Sequence, residues 1–592
     1  MIVGMKKVTI VVQDKDRAET LTQLACLGLV HVEHIQAPVG EVIEDVERDI
    51  HMISRSLETL PPAVEDRRFE ELSNWKEIVS KVLELRDERL KLMERSEKRR
   101  KKIDQWDDWG DFDVHLIKQL GAKGIYLYLA ELQAKDLKDI PDDVVVQVLS
   151  KKKGKALCAI ISDKEIEFPF ATLSLPAKRL SELMAEQNDE ARKIKAVNEK
   201  LSDLARFKNE LKEIRQAFEK DLEFERTCSG MGQAGKLAYL EGYCPVPELS
   251  AFEKASQRFK WATLIEEPTD KDRPPTLITN PKWISLINPV IDFIKTIPGY
   301  REVDISLWFL IFFSVFFGML IGDAGYGALV LLGAGTVHYK YGLKIKDKTP
   351  ILLMYVLGFI TVLWGVFTAT FFGQAWLPAS VKPLLPWLTD SANMQRLCFF
   401  LGALHLSIAH LWRGIRKAPS LQALADGGWI CMLWGSFYLV RNLIIGEVFP
   451  PLGKWLYIIG MALIVLFTKP QKNMLKAIGL GTGDLLLNAI ASFTDIVSYI
   501  RLFAVGLATV AVADAFNQIA MEVGWSSVGA SLGTTLILLL GHSLNMILGA
   551  LAILVHGVRL NVLEFSGHLN MEWSGFEYNP FKGKKSGVNR EK

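Results

Sequence analysis

Arg501 is the side chain whose position most needs a reason. It lies deep inside the apolar stretch 483–521, roughly 24 Å of helix from water, too far to snorkel fully if the helix stands upright. An arginine buried in lipid costs at least about 2.5–3.5 kcal/mol, so it needs a partner or a task. Its guanidinium stays protonated at any working pH. At helical spacing its face carries Thr494 and Ser498 on one side and Ala504, Ala508, Ala511 and Ala515 on the other. Small side chains let another helix slide close. A permanent cation on a smooth surface is what a passing carboxylate would need, whereas the plainer alternative is an ion pair within the membrane. The last apolar stretch has a matching stripe: His542, Asn545, Gly549, Ala552, His556 and Arg559 step by threes and fours. That stripe predicts a hydrated path or a helix–helix contact. Asp495 and Glu564 are further candidates for lining such a path.

Other chemistry is poorly represented. His405 and His410 are expected to satisfy buried hydrogen bonds rather than to form a relay. Gly479-Leu-Gly-Thr-Gly483 reads as the turn into a helix, not a phosphate loop. The six cysteines (Cys26, Cys158, Cys228, Cys244, Cys398, Cys431) form no CxxC pair and read as free thiols in a reducing compartment. No metal or nucleotide site and no cofactor is expected. No basic patch interleaved with aromatics points to nucleic acid.

These residues must be held by a chain of two characters. Its 592 residues exceed what one core serves. The net charge of +2 conceals a sharp divide: charge is dense up to about Arg301, and long apolar runs follow. Eight runs approach the ~20 residues needed to cross a bilayer: roughly 304–322, 324–339, 351–373, 395–412, 424–445, 453–468, 483–521 and 531–567. The last two are too long for an upright crossing, which predicts strong tilt or an exit from the bilayer. If the N-terminal half is cytoplasmic, the inside loops hold Lys340, Lys344, Lys346, Lys348, Arg413, Arg416, Lys417, Lys469, Lys472 and Lys476, and the tail adds more. The outside loops hold little besides Lys382 and Lys454. That bias predicts both termini inside. Met1–Val12 lacks the apolar core of a signal peptide.

In the charged half, Lys7–Val12 and Val30–Ile35 read as strands around a helix, Ala18–Val30. Heptad-like spacing recurs in Trp75, Ile78, Val82, Leu85 and Leu92, and again in Ile194, Val197, Leu201, Leu204, Leu211, Ile214 and Phe218. Strand patterns at Gly124–Ala130 and Val144–Ile161 lie between the two series. The fold class predicted is an α-helical membrane protein with about eight transmembrane helices, the last two long and tilted, plus cytoplasmic α/β lobes joined by an antiparallel coiled-coil arm. The expected divisions are a cytoplasmic arm over 1–285, a linker over 286–303, a transmembrane domain over 304–570 and a cytoplasmic tail over 571–592. Within the arm, a proximal lobe takes about 1–40 and 265–285. The coiled coil takes about 41–110 and 174–228, and a distal lobe about 111–173 and 229–264.

Several segments resemble one family closely. Phe317-Gly-Met-Leu-Ile-Gly-Asp-Ala-Gly-Tyr-Gly327 is similar to a hallmark of the membrane stator subunit of V-type and A-type ATPases, called subunit a or subunit I. Tyr300-Arg-Glu-Val-Asp304 resembles that family's approach to the membrane, and Leu240-Glu-Gly-Tyr-Cys-Pro245 its distal-lobe signature. Ser498-Tyr-Ile-Arg-Leu502 and His556-Gly-Val-Arg-Leu560 match the segments that bear the family's two membrane arginines. The resemblance covers essentially the whole chain and suggests the prokaryotic form. Gly549 and Thr509 depart from the eukaryotic pattern, where an acidic residue and a histidine align.

The resemblance implies that Arg501 faces a rotor ring of proteolipid subunits, with Arg559 as its partner. It further implies two offset half-channels, with Thr494, Asp495, Ser498, His542, Asn545, His556 and Glu564 as candidate lining. Ions would reach and leave ring carboxylates through them, and the arm would dock peripheral stalk subunits in a cell-membrane complex. ATP chemistry would belong to other subunits. The resemblance implies either H+ or Na+ as cargo, because the binding carboxylates would lie on the ring. A secondary transporter would predict paired repeats and broken helices, and a membrane-anchored scaffold leaves the deep arginine unexplained.

Overall fold

The computed structural model describes residues 1–592 except 63–73, 134–143, 153–154, 167, 169, 171, 374–377, 379–380, 470–473 and 584–592. The expected tail cations Lys584, Lys585, Arg590 and Lys592, and Lys472, lie outside the described residues. The described residues contain two sheets. One contains β1 (Met5–Gln13), β2 (His31–Glu33), β7 (Gly232–Ala234), β8 (Leu237–Pro245) and β9 (Ala262–Glu266) in the order β2-β8-β1-β9, with β7 on β8. The other has the order β4-β5-β3-β6 and is built from β3 (Tyr126–Gln133), β4 (Val145–Lys152), β5 (Lys155–Ser162) and β6 (Thr172–Leu173). Its antiparallel register sets Tyr126 opposite Ser162 and Leu132 opposite Ala156.

This pairing corrects one expected boundary. Residues 229–264 do not return to the distal lobe, because β7, β8 and β9 join the sheet of β1 and β2. The motif around Gly242 explains why: a methyl there would lie 2.4 Å from the His31 carbonyl oxygen, so glycine permits close strand approach. The signature Leu240–Pro245 therefore belongs to the proximal sheet.

Contacts divide the chain into two compact units. The first comprises Met1–Val8, Leu29–His31 and Gly242–Pro580; the second comprises Thr9–Gly28, Val32–Glu241 and Phe581–Lys592. The break at 241/242 replaces the expected one near 285, and hydrogen bonding explains the shift. Thr276 N donates to Phe576 O (2.8 Å) and Tyr578 N to Thr276 O (3.1 Å), so the stretch 265–285 expected in the proximal lobe is tied to the expected tail. The stretch 286–303 also carries a short helix, α8 (Asn288–Ile294), and is no plain linker.

In the second unit, α2 (Glu41–Thr59) packs on α6 (Lys208–Gly230), and α3 (Trp75–Trp106) on α5 (Leu180–Leu204). One buried cluster unites Trp75, Val82, Leu85, Val197, Leu201, Leu211 and Phe218, with Ile78, Leu92, Leu204 and Ile214 against it. A tight turn at Ala205–Phe207 separates α5 from α6.

In the first unit each of the eight apolar runs carries a helix: α9 (Ser306–Ile321), α10 (Ala324–Tyr341), α11 (Thr349–Thr368), α12 (Ser391–Lys417), α13 (Gln422–Val440) and α14 (Pro451–Phe467). The seventh run holds α15 (Met474–Ser498) and α16 (Ile500–Val523), and the eighth holds α17 (Val528–Ala552). Among the described residues, five stretches are long and apolar enough to cross a membrane, of which Ile478–Val523 has 46 residues and Val528–His568 has 41. The second of these passes α17, two wide turns at Ile553–Gly557 and Leu560–Phe565, and α18 (Ser566–His568).

Candidate functional site

The seventh run breaks at Tyr499, and the break aims Arg501. Leu502 N donates to Tyr499 O (3.1 Å), which leaves the Ser498 carbonyl without its usual helical donor. Arg501 Nε takes that carbonyl at 2.9 Å. Arg501 Nη2 then reaches Glu564 Oε1 at 2.6 Å, and Arg559 Nε lies 3.3 Å from the same oxygen. Glu564 is buried, and its Oε2 has no hydrogen-bond partner. Two of the three charged side chains are thus held mainly by the third.

What fixes the break is α12. The Tyr499 hydroxyl lies 2.8 Å from His405 Nδ1. The His405 ring is fully buried between Phe312 and Phe565, with centroids at 3.9 and 4.3 Å. One turn earlier, a methyl on Gly402 would sit 2.7 Å from the Tyr499 ring. Glycine at 402 and histidine at 405 together make a socket for Tyr499. Gly402→Ala is expected to overpack that socket by about 1–3 kcal/mol, and Tyr499→Phe to cost about 1 kcal/mol by losing one hydrogen bond. Thermal unfolding of the assembled complex would report both. Equal midpoints for Gly402→Ala and the unaltered protein would refute the socket.

A second polar group lies toward the end of the helix pair that holds Asp495 and His568. His568 Nε2 is 3.1 Å from Asp495 Oδ2, and His568 Nδ1 is 2.8 Å from His410 Nε2. Asp426, almost fully buried, receives Arg413 Nε (2.5 Å) and Lys417 Nζ (2.9 Å). These side chains border a cavity of about 350 Å³. A third polar group lies on the other side of Arg501. His542 Nδ1 is 2.8 Å from the Tyr326 hydroxyl, and its Nε2 is 3.2 Å from Asn517 Oδ1. Asn545 Nδ2 donates to Tyr326 Oη (3.0 Å) and to Thr509 O (2.8 Å).

The structure therefore sorts the expected residues into three places. Arg501, Arg559 and Glu564 come together, with Ser498 contributing its carbonyl. Asp495 belongs with His568, while His542 and Asn545 lie beyond Thr509. The stripe on α17 faces protein at Asn545 and Gly549, which are buried. His556 Nδ1 is buried without a partner, and Thr494 Oγ1 bonds its own helix at Ile490 O. The alanine face is uncovered: Ala504, Ala508, Ala511 and Ala515 are exposed, with Leu507 at 52%. His410 does satisfy a buried hydrogen bond, but its partner is another histidine. Asp426, His568, Tyr326 and Tyr499 escaped the sequence reading. Arg413 and Lys417 stand four residues apart and count there only as loop charges. Among the described residues, no group of three or more His, Cys, Asp or Glu could hold a metal ion.

Comparison with known proteins adds a lineage. Residues 151–376 match the V-type ATPase 116kDa subunit family. The chain is 31% identical over 629 residues to V-type ATP synthase subunit I 1 of Treponema pallidum, covering 98% of this chain and 100% of that one. It is also 31% identical over 615 residues to V-type ATP synthase subunit I of Borreliella burgdorferi, covering 99% and 100%. A-type ATP synthase subunit I of Methanocaldococcus jannaschii is 25% identical over 466 residues, covering 72% and 65%.

Proposed function

The chain belongs to the family of V-type and A-type ATP synthase subunit I, the stator subunit of rotary ATPases, and we propose that Arg501 is where its ion path meets a rotor ring. The observation that carries this reading is a guanidinium at the edge of an exposed alanine face, between two polar groups on one helix pair. Asp495 stands six residues before Arg501 and Asn517 sixteen after it, about 9 and 24 Å along helix. On the last helical stretch the order runs His542, Asn545, Arg559, Glu564, His568. The same three groups thus recur in register along both helices, which suits two offset half-channels with the arginine between them.

In this reading a ring carboxylate arrives carrying its ion, meets Arg501 and releases the ion, because a nearby cation favours the charged carboxylate. The same charge bars direct passage between the half-channels. Arg559 shares Glu564 and keeps it neutralised when Arg501 turns toward the ring. The chain crosses the cell membrane eight times with both termini cytoplasmic, its last two crossings tilted. The charged helices α2, α3, α5 and α6 form a coiled-coil arm that peripheral stalk subunits grip, so the subunit resists torque. Nucleotide chemistry resides in other subunits of the complex.

The test is ATP-driven ion uptake by vesicles carrying the assembled complex, with and without Arg501→Ala. Loss of uptake with assembly intact is the expected result. Unchanged uptake would leave the chain an anchor or scaffold.

A further inference from the structure

We propose that an anionic phospholipid is a resident ligand of this subunit. One acyl chain fills an apolar cavity of about 490 Å³ between α9, α11 and α17, and the headgroup lies among the lysines where α8 ends and α11 begins. The inference goes beyond the ion path and needs only a bilayer around these helices.

The lining of the cavity decides against water. Phe313 and Phe317 of α9, Leu353 and Leu357 of α11, and Gly549 and Ile553 on the last helical stretch form its walls. A methyl on Gly549 would come no nearer than 4.0 Å to Ile321, an ordinary contact, so the glycine leaves this space open. Among the described lining residues, polar side chains come only from Tyr326, Thr509 and Asn545, and those are already engaged with one another and with backbone. Asn545 spends both N–H bonds, on Tyr326 Oη (3.0 Å) and Thr509 O (2.8 Å). The Tyr326 hydroxyl also meets His542 Nδ1 at 2.8 Å. Thr509 Oγ1 bonds Val505 O (3.0 Å) and Leu320 O (3.2 Å). A buried water needs about two to four polar partners, and an apolar cavity stays dry and takes apolar guests instead. The volume is that of a ligand pocket.

The surroundings of the cavity choose the guest. Phe293, Met354, Met546 and Leu554 line it and are also exposed, so it opens at the protein surface. An acyl chain is the apolar guest that a bilayer supplies in excess. The charge at one end selects the headgroup. Lys295 closes α8 two residues after Phe293, and Lys348 stands at the start of α11, two residues before Pro350, which also lines the cavity. Helices α8 and α11 pack together. Lys344 and Lys346 extend the cluster, and all four lysines are exposed. Two carboxylates oppose them, Asp292 and Asp347, and Asp347 is taken up by Thr349 N (2.9 Å) at the start of α11. Trp283, Tyr339 and Tyr341 flank these segments and are exposed; tryptophan and tyrosine settle at headgroup level. Clustered lysines beside a membrane attract anionic lipid. Net positive charge next to an apolar opening is therefore the complement of a phospholipid with a negative headgroup.

The deciding experiment reconstitutes the assembled complex in phosphatidylcholine vesicles. A trace of phosphatidylglycerol with a photoreactive acyl chain is added, and the labelled segments are mapped by mass spectrometry. Labelling over 353–357 and 546–554 is expected to exceed severalfold that over 486–490 of α15, where Leu486, Leu487 and Ile490 are exposed. Unlabelled phosphatidylglycerol is expected to compete it away, and extra phosphatidylcholine is not. Joint Lys295→Gln and Lys348→Gln substitution is expected to weaken capture about tenfold or more, the scale of two charges beside a membrane. Ala550→Trp, which fills the cavity, is expected to abolish the labelling in a complex that still assembles. Labelling no stronger than over 486–490 would mean passing lipid only and would overturn the site. Equal competition by the two lipids would overturn the anionic assignment. Absence of labelling would also overturn the proposal, the result if a helix of a neighbouring subunit covers the opening. If a variant fails to assemble, the comparison of segments and the two competitions in the unaltered complex still decide.

Discussion

Vesicles carrying Arg501→Ala are expected to lose ATP-driven ion uptake by about a hundredfold or more, the scale set by removing a preorganised charge from a reacting centre. Complex assembly should survive, and the reason lies in Glu564. Removing one partner of a buried ion pair is usually destabilising by about 3–5 kcal/mol, since it strands the other charge. Here Arg559 Nε remains 3.3 Å from the same Glu564 oxygen, so the carboxylate keeps a cation. Arg501→Lys sharpens the expectation. The guanidinium spans two acceptors at once, Ser498 O through Nε and Glu564 through Nη2. A lysine ammonium is a point charge on a flexible stem and cannot reproduce that fork. It should therefore keep the charge, lose the aim and lose most uptake. Full uptake in the lysine variant would mean that charge alone matters and that the break at Tyr499 has no positioning role.

Much of this site is legible in the sequence because its residues violate their surroundings. An arginine inside an apolar run stands out at once, and Arg559 and Glu564 follow from the same test. The groups that were missed obey their local rules. Arg413 and Lys417 look like ordinary cytoplasmic loop charges, and Asp426 sits just past them. His568 lies beyond the last apolar run. Only the return of that segment against α12 brings it within 2.8 Å of His410. The break at Tyr499 contains neither Gly nor Pro, and its cause lies almost a hundred residues earlier, at Gly402 and His405. Strand pairing had the same weakness. The sequence reading places residues 229–264 in the distal lobe, but the partners of β8 are set by non-local hydrogen bonds and by the clearance at Gly242. Helices follow from periodicity along the chain, while the sheet and the site need distant neighbours.

Asp323→Ala is the substitution expected to do most damage to the fold. The eleven-residue motif over 317–327 reads as a polar turn set in apolar sequence, and Asp323 is nearly fully buried there. Its Oδ1 accepts from the backbone N–H of Gly325 (2.8 Å), Tyr326 (3.2 Å) and Phe372 (2.9 Å). Its Oδ2 accepts from Gly373 N–H (2.8 Å). One carboxylate thus caps α10 and ties it to the turn that follows α11. That turn needs the tie, since Ala369 and Phe372 both hold positive φ, at 54° and 50°, each a strain of about 1–2 kcal/mol. Gly365 permits the close approach, because a methyl there would lie 2.1 Å from Ala324 N. Alanine at 323 would leave four donors without their acceptor, at about 1–3 kcal/mol for each that stays buried. Their sum, on the order of 4 kcal/mol or more, rivals the net stability of many domains. Asp323→Asn should fall between, since its oxygen can still serve the α10 cap while its amide opposes the Gly373 N–H. The amount of subunit recovered in assembled complex, and its thermal midpoint, would check the order Asp, Asn, Ala. Thr370 also ties this turn, donating from Oγ1 to Gly322 O (2.5 Å) and accepting at its carbonyl from Ala324 N (3.0 Å). Normal recovery of the alanine variant would show that the turn is held by Thr370 and the glycine contacts alone. A loss graded in that order would tie the motif to architecture. Its Tyr326 would then reach Asn545 and His542 only as a consequence of that frame.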